Sequence, residues 1–428
     1  MPRRAFLVAV VSKVSGTAFW HDKGLSQPTA EESLEELGEL VTSRGDQVVG
    51  QTVQMRTRPD PRFLVGKGKV SELTRVVEEL EIDVVVFDDE LSPAQTRNLE
   101  EALGRPVLDR TAVILEIFAE RAHSREGKLQ VELARLQYLL PRLTGKGLEL
   151  SRLGGGIGTR GPGEQVLEFE RRQLRLRISQ LEEKIEEMRQ HRGLLRQNRL
   201  KNRTPVAALV GYTNAGKSTL LRSLTGDETA YVDDRVFATL DPRARTFCTP
   251  RGRAVLLTDT VGFIRKLPHQ LVAAFRTTLE EVLYADVLLH VVDASRPGID
   301  SRIAAVNDVL REIGAADYDT LLVFNKIDRL EPAQVNSLQV EYRQARFISA
   351  RENLGLDLLT QAVEDVLFRE DRLVDVLIPY DRGDMVNYLY ERGLVMAREE
   401  RKDGLYLQAR CDEETLNRMR PFLEGEGN

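Results

Sequence analysis

The sequence predicts a multidomain α/β protein, and three observations support this prediction. The chain has 428 residues, too many for a single hydrophobic core, which favours two to four domains. Short apolar runs alternate with amphipathic stretches, a pattern typical of parallel strands covered by helices. In the middle of the chain the apolar spacing changes to that of long paired helices.

The composition describes an acidic chain with a basic segment. Hydrophobic residues make up 42% of the sequence, charged residues 30%, and the formal net charge is -6. The overall charge argues weakly against a nucleic-acid partner. Residues 120–203, however, carry 19 Lys and Arg against 11 Asp and Glu. A nucleic-acid partner therefore remains open for this segment.

The cysteines and the N-terminal residues indicate the compartment. Cys248 and Cys411 are too few for a disulfide framework and lack metal-ligand spacing, as expected in a reducing environment. The opening "MPRRAFLVAVVSK" has an apolar run that is too short for a signal peptide or a membrane span. We therefore expect a cytoplasmic protein without a transmembrane segment.

Residues 1–115 predict an N-terminal parallel α/β subdomain. The apolar runs "AFLVAVV", "QVVGQTVQM" and "IDVVVFDD" alternate with the helical stretches "AEESLEELGELVTSRG" and "VSELTRVVEELE". The run "RPVLDRT" predicts a further strand, after which Asp109 caps the next helix. Lys67 and Lys69 in "LVGKGKV" do not have Walker spacing, and we interpret them as part of a basic surface loop rather than an ATP site.

Residues 116–203 predict an antiparallel helical hairpin. Apolar residues in each half are spaced 4, 3, 4 and 3 apart, the spacing of a helix–helix seam. The two sets are Leu129, Leu133, Leu136, Leu140 and Leu143, then Leu174, Ile178, Leu181, Ile185 and Met188. Pro141 should kink or end the first helix.

The tip of this hairpin holds the glycine-rich stretch "SRLGGGIGTRGPGE", residues 151–164. One interpretation is a flexible connector, but its arginines and apolar residues differ from an ordinary Gly/Ser linker. Glycines allow close backbone approach, and arginine donates bidentate hydrogen bonds to phosphate. We therefore expect an RNA-contact loop made by Arg152, Gly154, Gly155, Gly156, Gly158 and Arg160.

A phosphate-binding loop lies in "VAALVGYTNAGKSTLLRSL", in the strand–loop–helix context that it requires. Backbone N–H groups and the helix N-terminus would surround the phosphates, Lys217 would reach the β and γ oxygens, and Ser218 would ligate Mg²⁺. The predicted loop residues are Gly211, Tyr212, Thr213, Asn214, Ala215, Gly216, Lys217, Ser218 and Thr219.

A second strand, "AVLLTDTVGF", ends at the predicted magnesium and γ-phosphate residues Asp259, Thr260, Val261 and Gly262. In "VFATLDPRAR", Thr239 is the predicted residue that coordinates Mg²⁺ and senses the γ-phosphate, with Thr246 and Thr249 as weaker candidates. The candidate metal ligands are Ser218, Thr239 and Asp259, and the candidate catalytic residues are Lys217, Thr239 and Gly262.

Base selection is predicted from "LLVFNKID" and "FISA". Asp328 can accept hydrogen bonds from the guanine N1–H and amine, whereas adenine leaves it unpaired. Asn325 and Lys326 brace this loop, and Ser349 and Ala350 approach the base O6. Residues 204–371 are thus predicted to be a P-loop GTPase domain that binds GTP or GDP with Mg²⁺.

Two positions bear on the hydrolysis rate. Phe263 follows Gly262, where many GTPases place the glutamine that orients the attacking water. Phenylalanine cannot orient a water, so hydrolysis should be slow alone and stimulated by a partner. Asn214 resembles the asparagine of potassium-stimulated GTPases, which makes it a candidate K⁺ ligand.

The motifs "QYLLPRLTG", "GGGIGTRGPGE", "GYTNAGKSTL", "FATLD", "DTVGFIRKLP" and "LHVVDAS" occur in one order that resembles the HflX family, in the Obg and HflX branch of translation-factor-class GTPases. The resemblance covers most of the chain. It implies binding to the 50S ribosomal subunit and its 23S-type rRNA, splitting of 70S ribosomes, and a hairpin loop that reaches toward the peptidyl transferase centre. One departure is "TLDPRAR", where relatives commonly have "TLDPTTR".

Residues 372–428 predict a small α+β, ferredoxin-like domain. A strand "RLVDVLIPY" and a helix "DMVNYLYERG" precede two strands joined through "RKDG", a hairpin signal, and a last helix begins near "DEETLNRMRPFL".

The leading hypothesis is a ribosome-stimulated GTPase that binds the 50S subunit and splits or rescues 70S ribosomes under stress, acting as a monomer. One alternative is a GTPase for large-subunit assembly or silencing, and another is a signalling GTPase that is independent of RNA. An ATP-driven RNA remodelling enzyme is disfavoured by Asp328.

Overall fold

A computed structural model of the chain describes residues 2–12, 29–145, 162–202, 204–226, 237, 243–264 and 281–424. Of the predicted site residues, Thr239 and the whole glycine-rich set from Arg152 to Arg160 lie outside these ranges. The described residues form three sheets, in the order N-terminal, nucleotide-binding and C-terminal.

The first sheet has four parallel strands in the order β2-β1-β3-β4. The strands are β1 Arg4–Ser12, β2 Gln47–Arg56, β3 Val84–Phe87 and β4 Val107–Asp109. The helices are α1 Ala30–Ser43, α2 Lys67–Glu79, α3 Pro93–Leu103 and α4 Arg110–Arg121. Leu7 and Val8 of β1 point into different apolar clusters, one on each face of the sheet. This explains why β1 is apolar throughout.

Helix termini in this region follow capping chemistry. Asp109 accepts a hydrogen bond from Ala112 N at 2.8 Å, which confirms its predicted capping role. Sequence reading missed α3, although Ser92 and Gln95 form a capping box before it. Lys69 lies in the first turn of α2 and donates to Glu72 Oε1 at 2.7 Å, so the interpretation of this segment as a loop was wrong.

Two helices follow the first sheet: α5 Arg125–Leu139, which continues as a 3-10 helix Leu140–Gly145, and α6 Pro162–Asn202. Helix α5 ends at Leu139, shortly before Pro141, because proline has no backbone N–H to donate within an α-helix. On α6 the residues of the predicted seam, Leu174, Ile178, Leu181, Ile185 and Met188, are buried or half-buried. The two helices contact each other through pairs such as Glu132 and Arg177, which lie 2.7 Å apart.

The second sheet has six strands in the order β10-β9-β8-β5-β7-β6, and only β6 is antiparallel to its neighbour. The strands are β5 Val206–Gly211, β6 Arg243–Cys248, β7 Ala254–Asp259, β8 Val287–Asp293, β9 Thr320–Asn325 and β10 Arg346–Phe347. The helices are α7 Lys217–Thr225, α8 Ile299–Glu312, α9 Pro332–Glu341 and α10 Leu356–Leu367, with short 3-10 helices at Val282–Tyr284 and Ile327–Arg329. Within the described residues, the predicted phosphate, magnesium and base loops follow the carboxyl ends of β5, β7, β9 and β10, where α/β sheets bind ligands.

The third sheet is antiparallel, in the order β11-β13-β12. It contains β11 Arg372–Ile378, β12 Leu394–Arg401 and β13 Gly404–Cys411, with helices α11 Gly383–Arg392 and α12 Glu413–Met419 and a 3-10 helix Arg420–Phe422. A ferredoxin-like sheet would have a further strand beside β11. Within the range 372–424, that edge carries a single bridge between Leu423 and Val376, in which Glu424 N donates to the Asp375 carbonyl at 2.8 Å.

Side chains join the three regions. Phe118 of α4 contacts Phe237 of the nucleotide-binding domain with ring centroids 4.4 Å apart, inside an apolar cluster shared by both domains. Arg253 pairs with Asp371 at 2.5 Å and donates to the Arg410 carbonyl at 2.9 Å, which ties the C-terminal sheet to β7. No helix in the described parts of the chain is both long enough and apolar enough to cross a membrane.

Candidate nucleotide-binding site

The predicted phosphate loop connects β5 to α7, and its backbone requires glycine. Gly211 and Gly216 have φ angles of +148° and +92°. A Cβ on Gly216 would lie 2.2 Å from Asn325 Nδ2, and one on Gly211 would lie 2.2 Å from the Val291 carbonyl oxygen. The loop is therefore in close contact with the carboxyl ends of β8 and β9.

Lys217 begins α7 and is buried, with 6% of its surface exposed. Its Nζ donates to the carbonyl oxygens of Gly211 at 3.0 Å and Tyr212 at 2.9 Å. Burial lowers the pKa of Lys217 to about 8, although Asp259 acts in the opposite direction. The ammonium group is thus held by the phosphate loop itself.

The predicted magnesium ligands Ser218 and Asp259 lie together. The Ser218 hydroxyl donates to Asp259 Oδ2 at 2.8 Å, at the point where α7 begins and β7 ends. Mg²⁺ prefers oxygen ligands and is usually bound by one or two protein side chains together with phosphate oxygens. A hydroxyl and a carboxylate at this place therefore suit Mg²⁺. The hydroxyl of Thr260, the residue after β7, donates to the Leu209 carbonyl of β5 at 2.6 Å.

The residues after Asp259 approach the phosphate loop directly. A Cβ on Gly262 would lie 2.9 Å from Thr213 Cγ2 and 3.1 Å from Lys217 Nζ. Phe263 N donates to the Gly211 carbonyl at 3.1 Å, and Thr213 N donates to the Phe263 carbonyl at 2.8 Å. Phe263 is only 3% exposed and belongs, with Val261, to the apolar cluster shared with the N-terminal domain.

The base-recognition residues come from two loops that contact each other. Ser349 Oγ donates to Asp328 Oδ1 at 2.5 Å. Asn325 Nδ2 donates to the Ala215 carbonyl at 2.9 Å, and its Oδ1 accepts from Ala350 N at 3.0 Å. Asn325 thus braces both the phosphate loop and the last loop, as predicted from its position.

Lys326 connects the base loop to Asn214. It has a φ angle of +66°, and its Nζ donates to the Asn214 carbonyl at 2.6 Å and to Asp293 Oδ2 at 2.8 Å. Burial raises the pKa of Asp293, but Lys326 and Ser295 more than offset this and leave it below its ordinary value. Sequence reading missed Asp293, although it ends β8 just as Asp259 ends β7.

The site therefore combines a phosphate-loop backbone with the candidate magnesium ligands Ser218 and Asp259 and the candidate base-recognition residue Asp328, at one edge of a mostly parallel sheet. This combination defines a P-loop GTPase.

Comparisons with known proteins agree. Residues 31–119 match the family model of a GTP-binding GTPase N-terminal region, residues 121–199 that of its middle region, and residues 206–326 that of a 50S ribosome-binding GTPase. The GTPase HflX of Caldanaerobacter subterraneus is 50% identical over 420 residues, which span 98% of this chain and 94% of that protein. The GTPase HflX of Escherichia coli is 43% identical, over 87% of this chain and 88% of that protein.

Among solved structures, a GTP-binding protein from the archaeon Sulfolobus solfataricus in complex with GDP is 27% identical. The alignment covers 86% of this chain and 99% of that chain, with a TM-score of 0.42. The sequence relatives place the protein: this chain belongs to the HflX family of GTPases.

Proposed function

We propose that this GTPase separates 70S ribosomes into subunits after binding the 50S subunit in its GTP form. The observation that carries the proposal is the connection between the basic helical region and the nucleotide site. Helix α6 has 41 residues and ends at Asn202, and β5 begins at Val206 and ends in the phosphate loop. At 1.5 Å per residue, a helix of this length extends about 60 Å. The phosphate loop and a distant contact at the start of α6 are therefore connected through one strand and one long helix, which are adjacent in the sequence.

The distant contact in this proposal is ribosomal RNA of the 23S type. The residues proposed to make it are Arg152, Gly154, Gly155, Gly156, Gly158 and Arg160, which precede α6. Residues 162–202 themselves contain 10 Lys and Arg against 7 Asp and Glu. A basic helix that follows an arginine- and glycine-containing loop suits contact with a phosphate backbone.

In the nucleotide site we propose that Lys217 binds the β- and γ-phosphates and that Asp328 selects guanine. Ser218 and Asp259, with Thr239, would hold Mg²⁺. The proposed catalytic residues are Lys217, Thr239 and Gly262. Asn325, Lys326, Ser349 and Ala350 would position the base loops.

We propose Asn214 as a K⁺ ligand beside a lysine. Its Oδ1 lies 3.5 Å from Lys326 Nζ, so a cation there has a positively charged neighbour. Hydrolysis should therefore be compared in KCl and NaCl for the wild type and for Asn214→Ala. A potassium stimulation that persists in the variant would remove Asn214 from this role.

Sedimentation of 70S ribosomes tests the main proposal. The protein is added with a non-hydrolysable GTP analogue or with GDP, and the same is done for a variant that lacks residues 154–158. A matched charge control compares Arg152→Ala with Arg311→Ala, each of which removes one positive charge, since Arg311 is an exposed arginine on α8. Dissociation should require the analogue, fail in both loop variants and persist in Arg311→Ala.

Two other outcomes favour the alternatives. Intact 70S particles together with binding to free 50S subunits would favour assembly or silencing of the large subunit. A hydrolysis rate that ribosomes and RNA leave unchanged would favour an RNA-independent signalling GTPase. The proposed factor acts in the cytoplasm and is a monomer. Sedimentation of the protein alone tests the oligomeric state.

A further inference from the structure

The turn between β6 and β7, residues 249–253, is held in one conformation by its own hydrogen bonds. Thr249 N donates to the Arg253 carbonyl at 2.8 Å, and Arg253 N donates to Thr249 Oγ1 at 3.1 Å. Gly252 has a φ angle of +83°, and its N–H donates to the Thr249 carbonyl at 2.8 Å. Thr249 is buried. The turn therefore presents the Arg253 side chain in a fixed direction.

Arg253 joins this turn to the C-terminal domain through three contacts. Its guanidinium pairs with Asp371 at 2.5 Å, donates to the Arg410 carbonyl of β13 at 2.9 Å and lies 4.0 Å from the centroid of the Phe368 ring. Phe368 and Asp371 belong to the connection between α10 and β11. The side chains of Arg253 and Asp371 are 11% and 7% exposed. Because removal of one partner leaves a buried charge uncompensated, this pair holds firmly.

The two strands that meet in this turn both come from the nucleotide site. Strand β6 follows the segment that holds Thr239, and β7 ends at Asp259. The antiparallel register runs from the pair Arg243 and Asp259 to the pair Cys248 and Ala254. At about 3.4 Å per residue, the turn lies about 17 Å from the predicted magnesium ligand. Because all six residues of β6 pair with β7, a displacement at the nucleotide end of this hairpin is carried to its turn.

We propose that the β6–β7 hairpin transmits the nucleotide state to the C-terminal domain, and that Arg253 is the residue that carries the movement across. GTPases reorder the segments around their magnesium ligands when the γ-phosphate is lost. In this chain both segments enter one hairpin, whose turn is attached to the C-terminal sheet. The C-terminal domain therefore takes different positions in the GDP and GTP forms. Because such coupling is reciprocal, its attachment also changes the relative affinity for the two nucleotides.

The test uses full-length protein without ribosomes, so its result is independent of the ribosome-splitting proposal. Spin labels at Val340→Cys on α9 and Met396→Cys on β12, both exposed positions, report the distance between the two domains by pulsed electron paramagnetic resonance. Cys248→Ser removes the exposed native thiol, and Cys411 is buried. The distance should differ by about 2 to 5 Å between GDP and a non-hydrolysable GTP analogue. Arg253→Ala should give one distance with both nucleotides.

A matched control lies in the same turn. Arg251 pairs with Glu364 and Asp365 at only 3.9 and 4.0 Å, so Arg251→Ala should keep the nucleotide-dependent distance. Calorimetry measures the reciprocal effect. The ratio of the affinities for the GTP analogue and GDP should change about fivefold in Arg253→Ala and less than about twofold in Arg251→Ala.

Hydrogen exchange of the β13 amides checks that the C-terminal sheet stays folded in Arg253→Ala. If these amides lose protection, Asp371→Asn decides in its place, because it removes the charge that faces Arg253 and keeps the shape of the side chain. This variant should also reduce the difference in distance. One distance with both nucleotides in the wild type, a difference that persists in full in Arg253→Ala and Asp371→Asn, or an equal loss in Arg251→Ala would each overturn the proposal.

Discussion

Asp328 and Ser349 are joined by a 2.5 Å hydrogen bond from the serine hydroxyl to Asp328 Oδ1. This contact fixes the carboxylate on the loop after β9 to the loop after β10. The carboxylate that we propose to select guanine therefore has one oxygen engaged by the protein and is held in orientation before it meets a base. Specificity at such a site comes from a polar group that would stay unpaired against the wrong base.

Asp328→Asn should weaken GTP binding about a hundredfold, because the amide presents an N–H to the guanine N1–H and amine. The same amide can donate to the 2-oxo group of xanthine, so affinity for XTP should rise. Fluorescence titration with labelled GDP and XDP measures both changes. Ser349→Ala is the control, since it removes only the orienting hydroxyl and should reduce affinity without changing base preference. Unchanged guanine preference in Asp328→Asn would exclude the assigned role.

The nucleotide site was largely predictable because its chemistry constrains short, local segments. A phosphate loop needs a strand before it, glycines at positive φ and a helix with Lys and Ser at its start. The eight residues "GYTNAGKS" supply the glycines, the Lys and the Ser, between the apolar strand β5 and helix α7. Parallel strands then place Asp259 and Asp328 at the same sheet edge. The order of the strands does not follow from this requirement, because every order of parallel strands brings their carboxyl ends to the same edge.

The contacts between domains were not predictable, since they depend on packing of distant segments. Tyr212 reads as an ordinary loop residue, and nothing in the sequence pairs it with Glu36. Asp293 could have been found as a strand-end carboxylate, but its pairing with Lys326 depends on the positive φ of that lysine. In the sequence, Phe263 occupies the position where many GTPases have a catalytic glutamine. Its burial shows that it also packs in the core.

Nucleotide binding should take up a proton at alkaline pH. The pKa of Lys217 is about 8 in the free protein because burial disfavours its charge, and bound phosphates would raise it. At pH 7 the ammonium is already protonated. Above pH 8 a proton must be added on binding, so GDP affinity should fall about fivefold between pH 8 and pH 9. Calorimetry in two buffers of different ionisation enthalpy measures the proton number.

Lys217→Arg provides the control for this titration, since arginine stays charged across the range. Its residual GDP binding should show no proton uptake at pH 9. Uptake of the same size in the variant would assign the proton to another group and contradict the role of Lys217.

Asp109 should be the residue on which the junction between the first sheet and α5 depends. It is buried and accepts from Tyr138 Oη at 2.9 Å, Arg142 NH2 at 3.0 Å and Leu91 N at 3.1 Å. Asp109→Ala leaves all of these donors without their acceptor and should lower local stability by about 3 kcal/mol. Hydrogen exchange of amides in α4 and α5 measures the loss.

The control is Glu132→Ala, which breaks a half-exposed pair with Arg177 and should cost less than about 1 kcal/mol. Equal protection in the two variants would contradict this ranking.

Restoring a glutamine at position 263 should not accelerate hydrolysis. Phe263 is 3% exposed within the apolar cluster shared by two domains, and its backbone is paired with Gly211 and Thr213. In Phe263→Gln the amide would be buried among apolar side chains, which should lower stability by about 3 kcal/mol. Because the side chain points into this cluster, the single-turnover rate of Phe263→Gln should stay within about twofold of wild type. A glutamine that oriented the attacking water would raise this rate far more. Phe263→Leu keeps an apolar side chain and should cost less than about 1.5 kcal/mol. A tenfold faster rate in Phe263→Gln would mean that residue 263 leaves the core and reaches the attacking water during the reaction.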